Sequence, residues 1–117
     1  MIQKGAYIPE RGDAVWITLD PQAGHEQAGR RPALVLSPSA YNGRVGLALL
    51  CPITTRVKGY PFEVPLPAGL PVTGVIGADQ VISLDWRARK TTRIAAVPVE
   101  IVTQVADRLQ ILLIECG

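Results

Sequence analysis

The sequence predicts a mainly β fold, a small and largely antiparallel barrel with one helix at its C-terminus. Two observations carry this. Short runs rich in Val, Ile and Leu are broken at close intervals by Gly, Pro, Asn and Asp, the residues that punctuate strands with turns. Near the C-terminus the period changes, and Val102, Val105, Ala106, Leu109, Leu112 and Leu113 recur at helical spacing.

The elements follow in order. Residues 13–19 alternate, with Val15, Ile17 and Leu19 on one face, as in a half-buried strand. Residues 20–30 form a polar loop containing glycine, and residues 32–37 read as a buried strand. Asn42-Gly43 predicts a turn. The apolar run 45–53 reads as a central strand. Residues 61–65 and 74–84 supply further strands joined by the proline-rich stretch 65–71, and 91–96 is a last short strand. Pro98 suits the first turn of the final helix and Glu100 its positive end, while Thr103, Gln104, Asp107 and Gln110 take the polar face. Without an internal repeat, residues 1–117 are expected to form one domain.

Composition bounds the function. A chain of 117 residues can bury a core without disulfides or metal staples. With 48% hydrophobic and 19% charged residues it is no disordered tail, and pairing of two copies is one way to cover its apolar surface. A net charge of +2 does not establish nucleic-acid binding. The local distribution says more. Arg87, Arg89, Lys90 and Arg93 cluster, and Arg30, Arg31, Arg56 and Lys58 form two further groups, either solvated surface or a track for phosphates. Cys51 in an apolar run and Cys116 next to the end are expected as free thiols. His25 is the one histidine, and no Cys/His spacing resembles a zinc site, so neither metal nor cofactor is expected. Residues 1–11 hold no signal-peptide core, and no run approaches the roughly 18 apolar residues of a membrane helix. The expectation is a cytoplasmic protein without a membrane partner.

The loop at residues 20–32, DPQAGHEQAGRRP, gathers His25, Glu26, Gln27, Arg30 and Arg31 between two strands, where catalytic groups commonly sit. Residues 24–37, GHEQAGRRPALVLS, closely resemble the GxEQxGxRPxxVLS signature of MazF/PemK toxins. Gly12-Asp13 followed by Trp16 is similar to that family's first strand, and Tyr41-Asn42 to a later turn. Residues 52–55 (PITT), 58–64 (KGYPFEV), 78–81 (ADQV) and 85–89 (DWRAR) resemble the MazF branch in particular, so the likeness spans about residues 8–90.

The resemblance implies an SH3-like small β-barrel that forms a homodimer. It implies the toxin of a type II toxin–antitoxin system, a sequence-selective endoribonuclease on single-stranded mRNA held inactive by a cognate MazE-like antitoxin. It places the catalytic arginine at Arg31 and the catalytic threonine at Thr54, with Glu26 joining them. The candidate RNA-binding set is His25, Gln27, Asp79 and Gln80, together with Arg56, Lys58, Arg87 and Arg89, which the charge distribution offers as a track for phosphates. The PemK-like branch stresses a histidine, an arginine and an aspartate. His25 and Asp79 match, but Gly77 stands where that arginine would be, which favours Arg31 and Thr54.

Metal-free RNA cleavage by the neighbouring 2′-OH needs a base, an acid and cationic support for the crowded phosphorus. A guanidinium fork at Arg31 grips two phosphoryl oxygens but is a poor base, so Glu26 or His25 is left for that role. Thr54 can hydrogen-bond the phosphate or fix the 2′-OH. Trp16 and Trp86 read as packing residues, with Trp86 alternatively a face on which a base stacks beside Arg87 and Arg89. Two other readings compete. A non-catalytic RNA- or protein-binding barrel would be expected to lose the Arg31/Thr54 pair. CcdB-type gyrase poisons end in Trp-Gly-Ile, unlike the Ile114-Glu115-Cys116-Gly117 terminus here.

Overall fold

The computed structural model describes residues 7–18 and 29–114. They form β1 (Asp13–Thr18), β2 (Arg30–Val35), α1 (Ser39–Val45), β3 (Ala48–Thr54), β4 (Glu63–Pro65), β5 (Val75–Gly77), β6 (Ile82–Leu84), β7 (Thr92–Ala96) and α2 (Val99–Leu113). A single 3-10 turn, Ala78–Gln80, separates β5 from β6. The expected class, mainly antiparallel β with a C-terminal helix, is the one observed. The strands run in the order β4-β5-β3-β2-β1-β7, with β6 also paired to β3. These ladders do not join β4 to β7, so hydrogen bonding does not close the sheet into a ring.

The pleat divides the core in two. Ala33 and Val35 point to one face of β2, where they meet Val15, Ile17, Ala48, Leu50 and Trp86. Leu34 points to the other, among Ala14, Cys51, Ile53, Val64, Ile76, Val102 and Val105. Both faces of β2 are covered, so its sequence reads as a run of apolar residues and not as an alternation. The helix α2 buries Val102 and Val105 against the second face and half-buries Leu109. Beyond that it leaves the core, and Ile111, Leu112, Leu113 and Ile114 are exposed, Leu113 to 73%. No described helix is long and apolar enough to cross a membrane.

Three expectations need correction. Asn42-Gly43 is not a turn but lies inside α1. The Asn42 side chain is fully buried, and its amide donates to the carbonyls of Pro9 (2.8 Å) and Ser37 (2.9 Å). Its Oδ1 accepts from the Ser37 hydroxyl, whose oxygen accepts from Leu49 N (2.8 Å). The Asn42 carbonyl accepts from Trp86 Nε1 (2.9 Å) and from the N–H of Gly46, where φ is +86° and the helix ends. Tertiary bonds override the local turn preference. Val45 consequently belongs to α1, and the central strand begins at Ala48. The run 74–84 is two short strands, because β3 changes neighbour along its length. Ala48–Leu50 pair with β6, and Ile53 and Thr54 pair with β5.

Trp86 is 6% exposed and its N–H is satisfied, so it is a packing residue; the Arg87 guanidinium lies 4.6 Å from its ring centre. The buried Asp13 carboxylate takes hydrogen bonds from Tyr7 Oη and Glu10 N (3.2 Å) and pairs with Arg93 Nε at 3.3 Å. Burial, then the bond to Asp13, pushes the Tyr7 phenol up. Cys51 is a buried free thiol, pushed up to about 12 by burial and secondarily by the charge of Asp79, which leaves it inert. Cys116 lies outside the described residues.

Replacing Asn42 by Ala strands two carbonyls and a hydroxyl inside the fold. We expect a loss of about 2–4 kcal/mol in urea unfolding; an unchanged midpoint would show that the network is not holding α1.

Candidate active site

The site begins with the register of β2 on β3, where Val35 pairs with Leu50, Leu34 with Cys51 and Ala33 with Pro52. Leu36 N donates to Leu49 O at 2.8 Å, which makes that pair hydrogen-bonded. In an antiparallel ladder such pairs alternate, so Leu34/Cys51 and Pro32/Ile53 are the next ones. Pro32 has no N–H to give. The ladder stops at Ala33–Pro52, and the same register carried two residues on sets Arg31 opposite Thr54. The unbridged strand ends bound a cleft of about 320 Å3, lined by Arg31, Pro32, Ile53, Thr54, Thr55, Arg56 and Thr73. Two smaller hollows share Thr54. One of about 220 Å3 is mostly apolar and includes Ile17, Leu50, Pro52 and Ile82 beside Arg31. The other, of about 190 Å3, is lined by Arg56, Lys58, Glu63 and Gln80 among others.

The two adjacent arginines differ in their bonding. Arg30 donates to Thr18 Oγ1 (2.7 Å), Thr92 Oγ1 (2.8 Å) and Trp16 O (3.5 Å), tying β2 to β1 and β7. The Arg31 side chain has no hydrogen-bond or ion-pair partner among the described residues, and the exposed residue lines the cleft. The Thr54 oxygen accepts from Arg56 N at 3.0 Å, which leaves the hydroxyl hydrogen to be donated elsewhere. Gly74, at φ +120°, packs on the carbonyl of Thr54, and a Cβ there would sit 2.3 Å from that oxygen. This contact sets the residue before β5 directly on the end of β3, beside the pair Thr54/Val75.

Tyr60 bridges Asp79 and Gln80 beside the smallest hollow. Its hydroxyl donates to Asp79 Oδ1 (2.9 Å) and accepts from Gln80 Nε2 (3.3 Å). The Gln80 bond lowers the phenol's pKa. The Asp79 bond, desolvation and the charges of Asp79 and Glu63 together outweigh it, and the net shift is upward. The phenol therefore stays a donor to Asp79 at neutral pH.

Of the residues the sequence singled out, Arg31, Thr54 and Arg56 line the cleft, and Lys58 and Gln80 line the smaller hollow that shares Thr54 and Arg56 with it, with Asp79 joined through Tyr60. Arg87 and Arg89 line none of the three hollows; the first covers Trp86 and the second reaches Thr18 O at 3.5 Å. His25, Glu26 and Gln27 lie outside the described residues. Gly74 and Glu63 were not singled out by the sequence: only the KGYPFE string contained Glu63, and nothing local marked Gly74. Among the described residues no group of His, Cys, Asp and Glu is arranged to hold a metal ion.

Residues 10–113 match the family described as PemK-like, MazF-like toxin of type II toxin–antitoxin system. The chain is 47% identical over 107 residues to the endoribonuclease toxin MazF of Escherichia coli (strain K12), covering 92% of this chain and 96% of that protein. It is 37% identical over 109 residues to the Escherichia coli endoribonuclease PemK, covering 89% and 81%. A crystal structure of MazE-MazF from Deinococcus radiodurans holds a chain that superposes with a TM-score of 0.90 at 54% identity, covering 95% of this chain and all of that one.

Gly74 and Gly69 both have positive φ, but a Cβ at Gly69 would meet nothing within 4 Å. Gly69→Ala should therefore cost only backbone strain, about 1–2 kcal/mol. Gly74→Ala should cost about 1–3 kcal/mol more and shift the amide resonances of Thr54 and Thr55. Equal losses for the two variants would mean that the Thr54–Gly74 contact yields freely.

Proposed function

This chain belongs to the PemK-like, MazF-like toxin family of type II toxin–antitoxin systems, and on that premise we propose that it is a metal-independent, sequence-selective endoribonuclease acting on single-stranded mRNA. The observation that carries this reading is an arginine without a partner among the described residues, set by strand register opposite Thr54 across an open cleft.

In this reading the 2′-OH attacks the adjacent phosphorus and the bond to the 5′-oxygen breaks. The products are a 2′,3′-cyclic phosphate and a 5′-hydroxyl. Arg31 lays its planar fork on the two non-bridging oxygens, where negative charge grows as phosphorus becomes five-coordinate. Thr54 donates its free hydroxyl hydrogen to one of those oxygens or to the 2′-oxygen. Arg56 and Lys58 meet neighbouring phosphates, and Asp79 and Gln80 offer an acceptor and an amide to base edges. Glu26 or His25 takes the proton from the 2′-OH, since the guanidinium of Arg31 hardly deprotonates, and the leaving 5′-oxygen takes its proton from solvent water in the open cleft.

The apolar end of α2, Ile111 to Ile114, supports a homodimer. The partner reading is a MazE-like antitoxin whose acidic segment competes with RNA for the cationic groove, folding as it binds. The protein would work in the cytoplasm, where mRNA is.

Cleavage of a long single-stranded RNA should persist in EDTA and leave 5′-hydroxyl ends. Arg31→Ala should lower kcat by about 10²–10³, and Thr54→Ala by less, because it removes a neutral hydrogen bond instead of a charge. Activity lost in EDTA and restored by magnesium would overturn the mechanism, and a wild-type rate for Arg31→Ala would misplace the site. RNA binding without cleavage would favour a non-catalytic barrel. Light scattering should give a mass near twice 12.6 kDa; a monomer that cuts at full rate would refute the dimer.

A further inference from the structure

Glu63 is an acidic side chain in the wall of a groove proposed to hold a polyanion, where simple charge balance opposes its presence. Its bonding gives a reason. Oε1 accepts from the backbone N–H groups of Lys58 (3.1 Å) and Gly59 (2.8 Å), and Oε2 from Lys58 N (3.0 Å). Glu63 N in turn donates to Tyr60 O at 3.1 Å, closing a turn with Pro61 at its second position. Gly59, at φ +84°, lets the chain turn between the N–H bonded to the carboxylate and the following Tyr60. Residues 55–59 are exposed and lie outside helix and strand. The side-chain ends of Arg56 and Lys58 have no partner among the described residues, so their placement depends on the backbone that carries them.

We propose that Glu63 is a positioning residue for RNA binding: its carboxylate staples the 56–59 segment so that Arg56 and Lys58 present their charges to the phosphates of a strand in the groove. The proposal rests on the RNA-cleaving reading above, and Glu63 itself touches no substrate.

Charge and staple predict opposite signs. If Glu63 acts only as a charge, removing it relieves repulsion and tightens RNA binding. If it is a staple, losing its acceptor oxygens loosens the segment and weakens binding. Glu63→Gln removes the charge and keeps one carbonyl oxygen able to accept both N–H groups as Oε1 does, giving up only the second bond to Lys58 N. Glu63→Ala removes both.

The experiment titrates wild type and variants with a short random-sequence single-stranded RNA carrying 2′-fluoro groups, which cannot be cleaved, over a range of salt. Glu63→Gln should bind as tightly as wild type or more so, with the same salt slope. Glu63→Ala should bind roughly tenfold more weakly, the scale of one lost charge-assisted contact. Its slope should be shallower by up to about 1.4, two phosphate contacts at about 0.7 each. In cleavage its loss should fall on KM and leave kcat near wild type. Gly59→Ala strains the donor without altering charge, and a Cβ there meets nothing within 4 Å; it should weaken binding in the same sense. It serves as the second variant if Glu63→Ala does not fold. Binding by Glu63→Ala or Gly59→Ala that matches or exceeds wild type, with an unchanged slope, would overturn the proposal. A wild-type protein that shows no salt-dependent RNA binding would break the RNA reading itself, and the first titration shows it before any variant is tested.

Discussion

The pairing of Ala33 with Pro52 is the last rung of the ladder between β2 and β3, and the position of the cleft follows from it. Continued pairing would have closed the strand ends on both sides of the non-hydrogen-bonded pair Arg31/Thr54. Pro32 withholds the next donor. Pro52 sits where β3 is passing from β6 to β5, so its own missing N–H falls in the gap between two neighbours. Both prolines occupy a central part of the sheet, a position that normally costs a ladder bond, and here the missing donors fall where the ladder ends. Gly74 then fixes the far wall by letting its backbone touch the Thr54 carbonyl.

Away from the cleft the sheet is held by two buried polar centres as well as by its apolar faces. Asn42 joins the segment before β1, the end of β2, the start of β3 and Trp86. Asp13 ties Tyr7 and the turn at Glu10 to Arg93 on β7. Every buried side-chain polar atom among the described residues has a partner. Such satisfied networks define one arrangement more sharply than apolar contact alone.

Much of this was legible in the sequence where the information is local. The strand pattern from Asp13, the apolar run at 32–37 and the helical period after Pro98 each reflect the packing of one element on its immediate neighbours. Arg31 and Thr54 were legible through a resemblance, and the register gives them an independent geometric reason to meet. What failed depended on contacts distant in sequence. Asn42-Gly43 has every local mark of a turn, yet its fate is decided by Pro9, 33 residues away, and Trp86, 44 residues away. The split of 74–84 reflects which stretch of β3 each half pairs with. Arg30 and Arg31 are the same residue type in adjacent positions, and only Thr18 and Thr92 distinguish the tethered one from the open one.

That tether bears on the entropy of recognition. Arg30 spans three strands and fixes the backbone from which Arg31 projects, while Arg56 N fixes the Thr54 oxygen opposite. When a phosphate enters, little main chain remains to be ordered at these two residues. The cost falls on the rotors of the Arg31 side chain, about 2 kcal/mol at most. A guanidinium on a loose strand end would add roughly 1–2 kcal/mol for each backbone residue immobilised. On the proposed function, the neighbouring arginine contributes to affinity without contacting the ligand, by having lost its own freedom when the protein folded.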